Sequence, residues 1–352
     1  MTNTHEQVQQ YYGETLQTST DLQTNACCTD INSIPQYLKQ AMANIHDEVV
    51  SKYYGCGLVA PKELKGLKVL DLGCGAGRDV YLLSQLVGEE GHVVGIDMTP
   101  EQLEIANSHI DYHMNKFGYQ TPNVEFKLAK IEELAKLDLK ENSFDLIISN
   151  CVINLCPDKE TVIRDIHRLL KPGGEMYFSD VYSDRRVPVH LTKNPVLWGE
   201  CLSGALYWKD FERICLANNF PDIRLYESSQ ITIANPEIEK LLSPIKFFSA
   251  TYRLFKIAEL EDACEDFGQA VIYKGSISDS PQYFKLDDHH LIPKGKVFPV
   301  CGNTYLMLSQ TRLAKHFDFI GSFENHYGLF EDCGATHPFN ETNTDSSLGS
   351  CC

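Results

Sequence analysis

Residues 69–79 read Val-Leu-Asp-Leu-Gly-Cys-Gly-Ala-Gly-Arg-Asp, an apolar run that passes into three alternating glycines and then a helical pattern. Glycine there lets the backbone turn tightly and lets a ligand approach the main chain. The neighbouring segments narrow the choice of fold. KVLDLG (68–73), HVVGID (92–97), NVEFKLA (123–129), FDLIISN (144–150) and EMYFSDVY (175–182) read as strands. A stretch from Arg78, then PEQLEIANSHIDYHMNKFG (100–118) and DKETVIRDIHRLLKPGG (158–174), read as helices. Such alternation predicts an α/β fold with a doubly wound, parallel sheet, covered by helices on both faces. Ligands of open sheets of this kind bind beyond the carboxyl ends of the strands, and the glycine turn lies there.

The spacing of the glycines bears on the ligand. Counted from Gly73, the third glycine of a dinucleotide fingerprint G-x-G-x-x-G would fall on Arg78, which would crowd the close helix–strand packing of that fold. The pattern is instead D-x-G-x-G-x-G over Asp71, Gly73, Gly75 and Gly77, with Cys74 inside it and Asp97 ending the second strand. An acidic residue there can hold both hydroxyls of a ribose. The pattern resembles the first motif of the class I S-adenosylmethionine-dependent methyltransferases, with a Rossmann-like sheet. That resemblance implies a cofactor site built from Asp71, Gly73, Cys74, Gly75, Gly77, Asp97 and Met98. It adds Ile131 and Glu132 beside the adenine, and Asn150 beside the methionine part. For Glu132 alone, a solvated acid at a helix start remains an equal reading.

Composition excludes several partners. There are 31 Lys and Arg against 48 Asp and Glu, a net charge of −17. Phosphate backbones and anionic bilayers would repel such a chain, and no run of five basic residues relieves it, so neither nucleic acid nor membrane is expected. The start, MTNTHEQVQQ, lacks the basic and apolar parts of a secretion signal, and a cytoplasmic protein is expected. In a reducing compartment the 13 cysteines are buried hydrophobes, soft-ligand donors or reactive thiols rather than a disulfide framework.

Three of those cysteines stand in distinctive flanks. Cys151 follows the fourth strand, Cys201 lies after the fifth, and Cys56 precedes the first in a Gly-flanked turn. Thiols converging on one point suit a soft, thiophilic centre. The segments YYGCGLV (53–59), DLGCGAGRD (71–79), GIDM (95–98), NCVINLCPDK (150–159), YFSDVY (177–182) and LWGECLSGALYW (197–208) resemble the arsenite methyltransferases. DLQTNAC (21–27) and SATYRLFK (249–256) fit too, and the likeness spans roughly residues 10–275. It implies that Cys56, Cys151 and Cys201 hold trivalent arsenic, and that Cys56 alternatively pairs with Cys27 during turnover, Cys28 being the other candidate. Cys156 has no counterpart in that pattern, and Cys333, Cys351 and Cys352 fall beyond the resemblance.

The family further implies methyl transfer to arsenite and methylarsenite by direct attack of the arsenic lone pair, with glutathione or thioredoxin recycling the cysteines. The rival readings are a methyltransferase for a carbon, oxygen or sulfur acceptor, and a thiol protein that only sequesters arsenic. A zinc centre is disfavoured, since no cysteine pair has zinc-knuckle spacing. The expected organisation is a mostly helical segment over 1–66 carrying Cys27 and Cys56, then a cofactor domain over 67–235. A small α+β domain over 236–320 follows, because FFSATYRLFK and QAVIYKG read as strands, and a polar, disordered tail over 321–352 ends the chain. ELEDACEDF (259–267) reads as a solvated linker.

Overall fold

A computed structural model describes residues 4–12, 34–331 and 333. Its main sheet has eight strands: β1 (Lys68–Leu72), β2 (His92–Asp97), β3 (Val124–Leu128), β4 (Phe144–Asn150), β5 (Leu170–Ser183), β6 (Leu206–Tyr207), β7 (Ile223–Ile231) and β8 (Phe247–Phe255). Their order is β3-β2-β1-β4-β5-β8-β7, with β6 paired to the end of β5. The pairings from β3 through β5 are parallel, whereas β8 runs antiparallel to both β5 and β7. The chain reverses its direction of growth between β1 and β4, where a doubly wound sheet opens its crevice.

Alternation along the strands sorts side chains onto the two faces. Leu70, Leu72 and Ile147 join one buried cluster, while Val69, Leu146 and Ile148 join the other. Both faces are therefore covered, which is why β1 and β4 read as nearly continuous apolar runs. The helices are α1 (Thr4–Gln10), α2 (Gln36–Met42), α3 (Asp47–Ser51), α4 (Arg78–Val87), α5 (Pro100–Ser108), α6 (Ile110–Phe117), α7 (Lys159–Leu169), α8 (Pro195–Gly199), α9 (Trp208–Ala217) and α10 (Pro236–Leu242). Val80, Tyr81 and Val87 of α4 pack on one face; Val162, Ile163 and Ile166 of α7 pack on the other. The Asp158 carboxylate caps α7 by accepting from Thr161 N, satisfying a donor that the helix leaves orphaned. Among the described residues no helix is long and apolar enough to cross a membrane.

The carboxyl-terminal part holds β9 (Glu265–Asp266), β10 (Gln269–Tyr273), β11 (Tyr283–Lys285), β12 (Leu291–Pro293), β13 (Val297–Val300), α11 (Gly302–Ser309), β14 (Phe317–Ile320) and β15 (Gly328–Leu329). The antiparallel set β13-β10-β14 packs with α11 around its own core of Val271, Phe284, Met307 and Phe317. Three sequence expectations change here. FFSATYRLFK supplies β8 of the main sheet, so the cut at residue 236 falls inside that sheet. The stretch 259–267 is not simply a solvated linker, since Leu260 is buried and Glu265–Asp266 forms β9. Residues 328–329 form a strand, while most of the supposed tail lies outside the described residues.

A buried ion triad ties the two parts together. Glu175 of β5, wholly buried, accepts from Arg253 of β8 at 2.7 Å and from Arg312 at 2.8 Å. Arg312 also donates to the Lys62 carbonyl at 3.1 Å. Burial alone would push the Glu175 carboxyl up, but the two guanidinium groups overcome it and hold it at about 2. Its unfolded value is near 4.5, so this contribution is fully present above pH 4.5 and disappears as pH falls toward 2. Glu175→Gln leaves the buried Arg253 and the half-buried Arg312 uncompensated and is expected to cost about 3–5 kcal/mol. Urea unfolding at neutral pH measures that loss, and the same titration carried down through pH 4 is expected to flatten in the variant.

Candidate active site at the carboxyl ends of the strands

The glycine turn between β1 and α4 uses each glycine for a different reason. Gly73 (φ +76°) leaves no room for a Cβ, which would stand 2.3 Å from Val152 Cγ2. Gly77 (φ +89°) is the residue before α4, and its Cβ would lie 2.9 Å from Phe126 Cζ. Gly75 (φ +52°) instead faces open space, with only Gln102 Oε1 at 4.0 Å, so the main chain there is bare toward the crevice. Arg78 turns away from the sheet and lays its guanidinium over the Tyr53 ring at 3.5 Å, which is how the turn accommodates arginine where a dinucleotide fold has glycine.

Asp97 closes the turn from the end of β2, accepting from Gly75 N at 2.8 Å and Thr99 N at 2.8 Å. Burial pushes its carboxyl up, against the pull of those amides. These groups line an open crevice. Asp71, Gly73, Cys74, Gly75, Asp97, Met98, Ile131, Glu132 and Asn150 all line it; Gly77 stands just behind. Two buried acceptors on its wall, Asp71 Oδ2 and Gln102 Oε1, have no hydrogen-bond partner among the described residues. Orphaned acceptors, a carboxylate at the end of β2 and the bare Gly75 backbone fit a polar nucleoside cofactor such as S-adenosylmethionine. Cys74, sealed in beside Asp97 and Asp71, is held protonated by burial first and by those charges second.

Sequence reasoning missed the cover. Helix α1 lies across this crevice: His5 meets Glu132 at 2.9 Å, Gln9 donates to the Met98 carbonyl at 3.2 Å, and Val8 is buried. Tyr12 anchors the end of that segment on the Gly199 carbonyl at 2.7 Å. The contact with His5 and its place on the crevice wall set Glu132 apart from a solvated helix-start acid.

The thiols meet next to this crevice, and Asn150 organises them. Its Oδ1 accepts from Cys56 N at 3.0 Å and Gly57 N at 3.2 Å. Its Nδ2 donates to Tyr53 Oη at 2.7 Å, the Gly57 carbonyl at 2.9 Å and Asp79 at 3.0 Å. The last residue of β4 thus carries the Cys56 loop as well as lining the crevice. Gly55 and Gly57 permit that closeness: a Cβ on Gly57 would sit 2.3 Å from Ser179 Oγ, and one on Gly55 2.7 Å from Asn150 Cγ.

Cys56 is joined to Cys151 by a disulfide; Cys27 and Cys28, the expected partners of Cys56 during turnover, lie outside the described residues. Cys201 Sγ contacts the Cys151 carbonyl at 3.3 Å. The sulfurs of Cys151 and Cys201 and a carboxylate oxygen of Asp180 all lie within 4.8 Å of one another, and all three residues are buried. Cys151 (φ 58°) and Cys201 (φ 61°) both adopt the left-handed backbone that residues bearing a Cβ avoid, so the fold stores strain to aim them. Cys156 also lines the crevice, but its thiol meets Glu132 and burial pushes it up; it does not join the other three.

Asp180 is a site residue that sequence reasoning missed, although an acid inside the apolar strand YFSDVY was the available signal. It accepts from Asn154 Nδ2 at 2.7 Å and Val181 N at 2.8 Å, and burial raises its carboxyl to about 6 despite those bonds. Lys159 is buried close by, donating to the carbonyls of Asn154 at 3.1 Å and Cys156 at 2.7 Å.

Two substitutions separate the halves of the site. Asp97→Ala is expected to weaken S-adenosylmethionine binding by about 1.5–3 kcal/mol, the strength of one hydrogen bond to a charged group, as calorimetry would read. Gly57→Ala forces the Cys56 loop off Ser179; cofactor affinity is expected to hold while the yield of Cys56–Cys151 disulfide under mild oxidation falls, as peptide mass spectrometry reports.

Comparison with known proteins agrees with this geometry. Residues 63–219 match a family model described as methyltransferase domain, and residues 268–352 one described as arsenite methyltransferase C-terminal domain. The chain is 56% identical to an arsenite methyltransferase of Aquipseudomonas alcaligenes over 99% of its own length and 100% of the relative. It is 47% identical to an arsenite methyltransferase of Rattus norvegicus, covering 90% of this chain and 85% of that one. Its fold superposes on the crystal structure of an arsenic(III) S-adenosylmethionine methyltransferase from Chlamydomonas reinhardtii with a TM-score of 0.82, at 47% identity, over 85% of this chain and all of that one. A doubly wound sheet, a crevice shaped for a nucleoside cofactor and these relatives lead to one conclusion: the chain is an S-adenosylmethionine-dependent methyltransferase and belongs to the arsenite methyltransferase family.

Proposed function

We propose that this enzyme methylates trivalent arsenic held by Cys56, Cys151 and Cys201, taking arsenite and then methylarsenite as substrates. The observation that carries the reading is the convergence of three cysteines at the end of β4, beside the cofactor crevice. Arsenous acid exchanges its three hydroxides for thiolates, each leaving as water with a thiol proton. Bound this way, arsenic is pyramidal and keeps a lone pair. The cofactor supplies an electrophilic methyl group on a sulfonium. Arsenic has no proton to lose, so the acceptor needs no general base, and the protein's contribution is positioning, which can be worth roughly 7–11 kcal/mol.

The residues divide that work. Asn150 holds the Cys56 loop against the end of β4, and the left-handed turns at Cys151 and Cys201 aim those two sulfurs at one point. The crevice wall and α1 keep water from the transfer. With Cys56 and Cys151 joined, two of the three ligands are withdrawn, so the oxidised protein must be opened by a thiol such as glutathione or thioredoxin before arsenic enters.

Arsenite, labelled cofactor and a thiol reductant, with methylated products measured, test the reading directly. Label in arsenic products supports it. Turnover only on a carbon, oxygen or sulfur acceptor, or arsenite binding without methyl transfer, would sink it. The same assay orders the thiols. Attack by the lone pair takes arsenic from the trivalent to the pentavalent state; two thiols leaving as a disulfide, reopened by the same reductant, return the two electrons. The resulting trivalent methylarsenic keeps two coordination positions, so Cys151 and Cys201 suffice for the second round. Cys151→Ser and Cys201→Ser are expected to stop transfer to both substrates, whereas Cys56→Ser stops transfer to arsenite and spares much of that to methylarsenite. Equal loss on both substrates in Cys56→Ser would mean the three thiols act as one indivisible set.

A further inference from the structure

One wall of the thiol site is a carboxylate. Asp180 lies on β5, is 1% exposed, and holds an oxygen within 4.8 Å of both Cys151 Sγ and Cys201 Sγ. Every group hydrogen-bonded to that carboxylate among the described residues is a donor: Asn154 Nδ2 at 2.7 Å, Val181 N at 2.8 Å and Asn154 N at 3.1 Å. Those are the partners of an ionised carboxylate, and they fix where its charge stands. Lys159, buried and tied to the carbonyls of Asn154 and Cys156, adds a cation close by. The clasp also steadies the thiols, since Asn154 belongs to the 3₁₀ turn Ile153–Leu155 that begins two residues after Cys151.

The side of the site on which this charge stands decides what it does. Cys151 lines the cofactor crevice, as do Asp71, Asp79, Asp97 and Glu132, whereas Asp180 stands off that wall, on the side of the thiols. Methyl transfer moves a charge from one side to the other. The arsenic lone pair forms the As–C bond. The C–S bond of the sulfonium breaks with its electron pair left on sulfur, and the positive charge passes to arsenic. An anion beside the thiols therefore attracts the transition state more strongly than the bound reactants. That difference is the condition for speeding a step rather than tightening binding.

We propose that the Asp180 carboxylate accelerates methyl transfer by stabilising the positive charge as it arrives on thiol-bound arsenic. The proposal rests on the reading of Cys56, Cys151 and Cys201 as the arsenic site. Asp180 moves no proton in this role and adds nothing to the ligand set, which three sulfurs complete. Its hydrogen bonds to Asn154 and Val181 are made before the reaction begins, so the charge is in place and costs no reorganisation at the moment of transfer. A buried site makes such a charge count for more than it would in water.

Two measurements on the reduced full chain separate rate from binding. Arsenite affinity is read from tryptophan fluorescence, because Trp198 packs against the apolar cluster that holds the three thiols. The rate is read in a single turnover, by mixing arsenite-loaded protein with labelled S-adenosylmethionine and quenching. Asp180→Asn keeps the size of the side chain and removes its charge. Its arsenite and cofactor affinities are expected to stay close to the parent's. Its single-turnover rate is expected to fall about tenfold, a size that a unit charge roughly 5 Å away supplies at an effective dielectric near 20. Asn154→Ala loosens the clasp and leaves the charge, and is expected to slow the turnover less. Should Asp180→Asn melt early, Asp180→Ser gives the same comparison, with cofactor affinity as the check on its fold. An unchanged rate in the charge-free variant, a loss confined to arsenite affinity, or an equal slowing in Asn154→Ala would overturn the proposal and leave the arsenic site standing. A parent that binds arsenite and methylates none of it would remove the catalytic reading, and this role with it.

Discussion

The carboxamide of Asn150 is the junction on which the site depends. It ends β4, the strand beside the opening of the doubly wound sheet, and uses both its acceptor and its donor on the segment Tyr53–Gly57. That segment lies a short stretch of chain before β1 and has no ladder of its own to hold it. A buried amide with its hydrogen bonds satisfied is costly to displace, because each freed partner would be left dry. Cys56 thereby reaches Cys151, the residue that follows Asn150. The same amide faces the crevice, so cofactor and acceptor are referred to a single side chain.

Around that junction the protein spends stability on geometry. Two cysteines in left-handed backbone and a buried Asp180 with Lys159 nearby are each unfavourable alone. They persist because β4 and β5 fix the backbone on either side. Local strain of this kind at the end of otherwise regular strands is where a fold is expected to depart from its own rules. On the proposed function, burial serves the chemistry, since a soft nucleophile next to an electrophilic methyl group gains from a site shielded from water. Burial also raises the proton affinity of thiols, and in the proposed reaction that tendency is answered by transfer of thiol protons to the departing hydroxides of arsenous acid.

Much of this was legible in the chain. The run 69–79 and Asp97 announced the sheet, the turn and the cofactor crevice, because glycine spacing and an acid at a strand end follow from local backbone needs. The flanks of Cys56, Cys151 and Cys201 pointed to one soft site. What stayed hidden depends on contacts distant in sequence. FFSATYRLFK reads as a strand in any setting, and only its antiparallel register with β5 assigns it to the main sheet. Asn150 offered no sign that its amide would grip residues near 55. His5, Val8 and Tyr12 sit in a short polar helix whose pattern says nothing of what it covers. Leu260, inside an acidic stretch, looked solvated because its neighbours are charged, while its burial is tertiary.

The central claim is that the three thiols Cys56, Cys151 and Cys201 close on one arsenic atom. Arsenic X-ray absorption on the reduced chain measures this most directly, with arsenite supplied at one equivalent. The account predicts a first shell of three sulfurs and no oxygen, falling to two sulfurs and one oxygen in Cys201→Ser. A mixed sulfur and oxygen shell in the parent, or a three-sulfur shell that persists in Cys201→Ser, would contradict it.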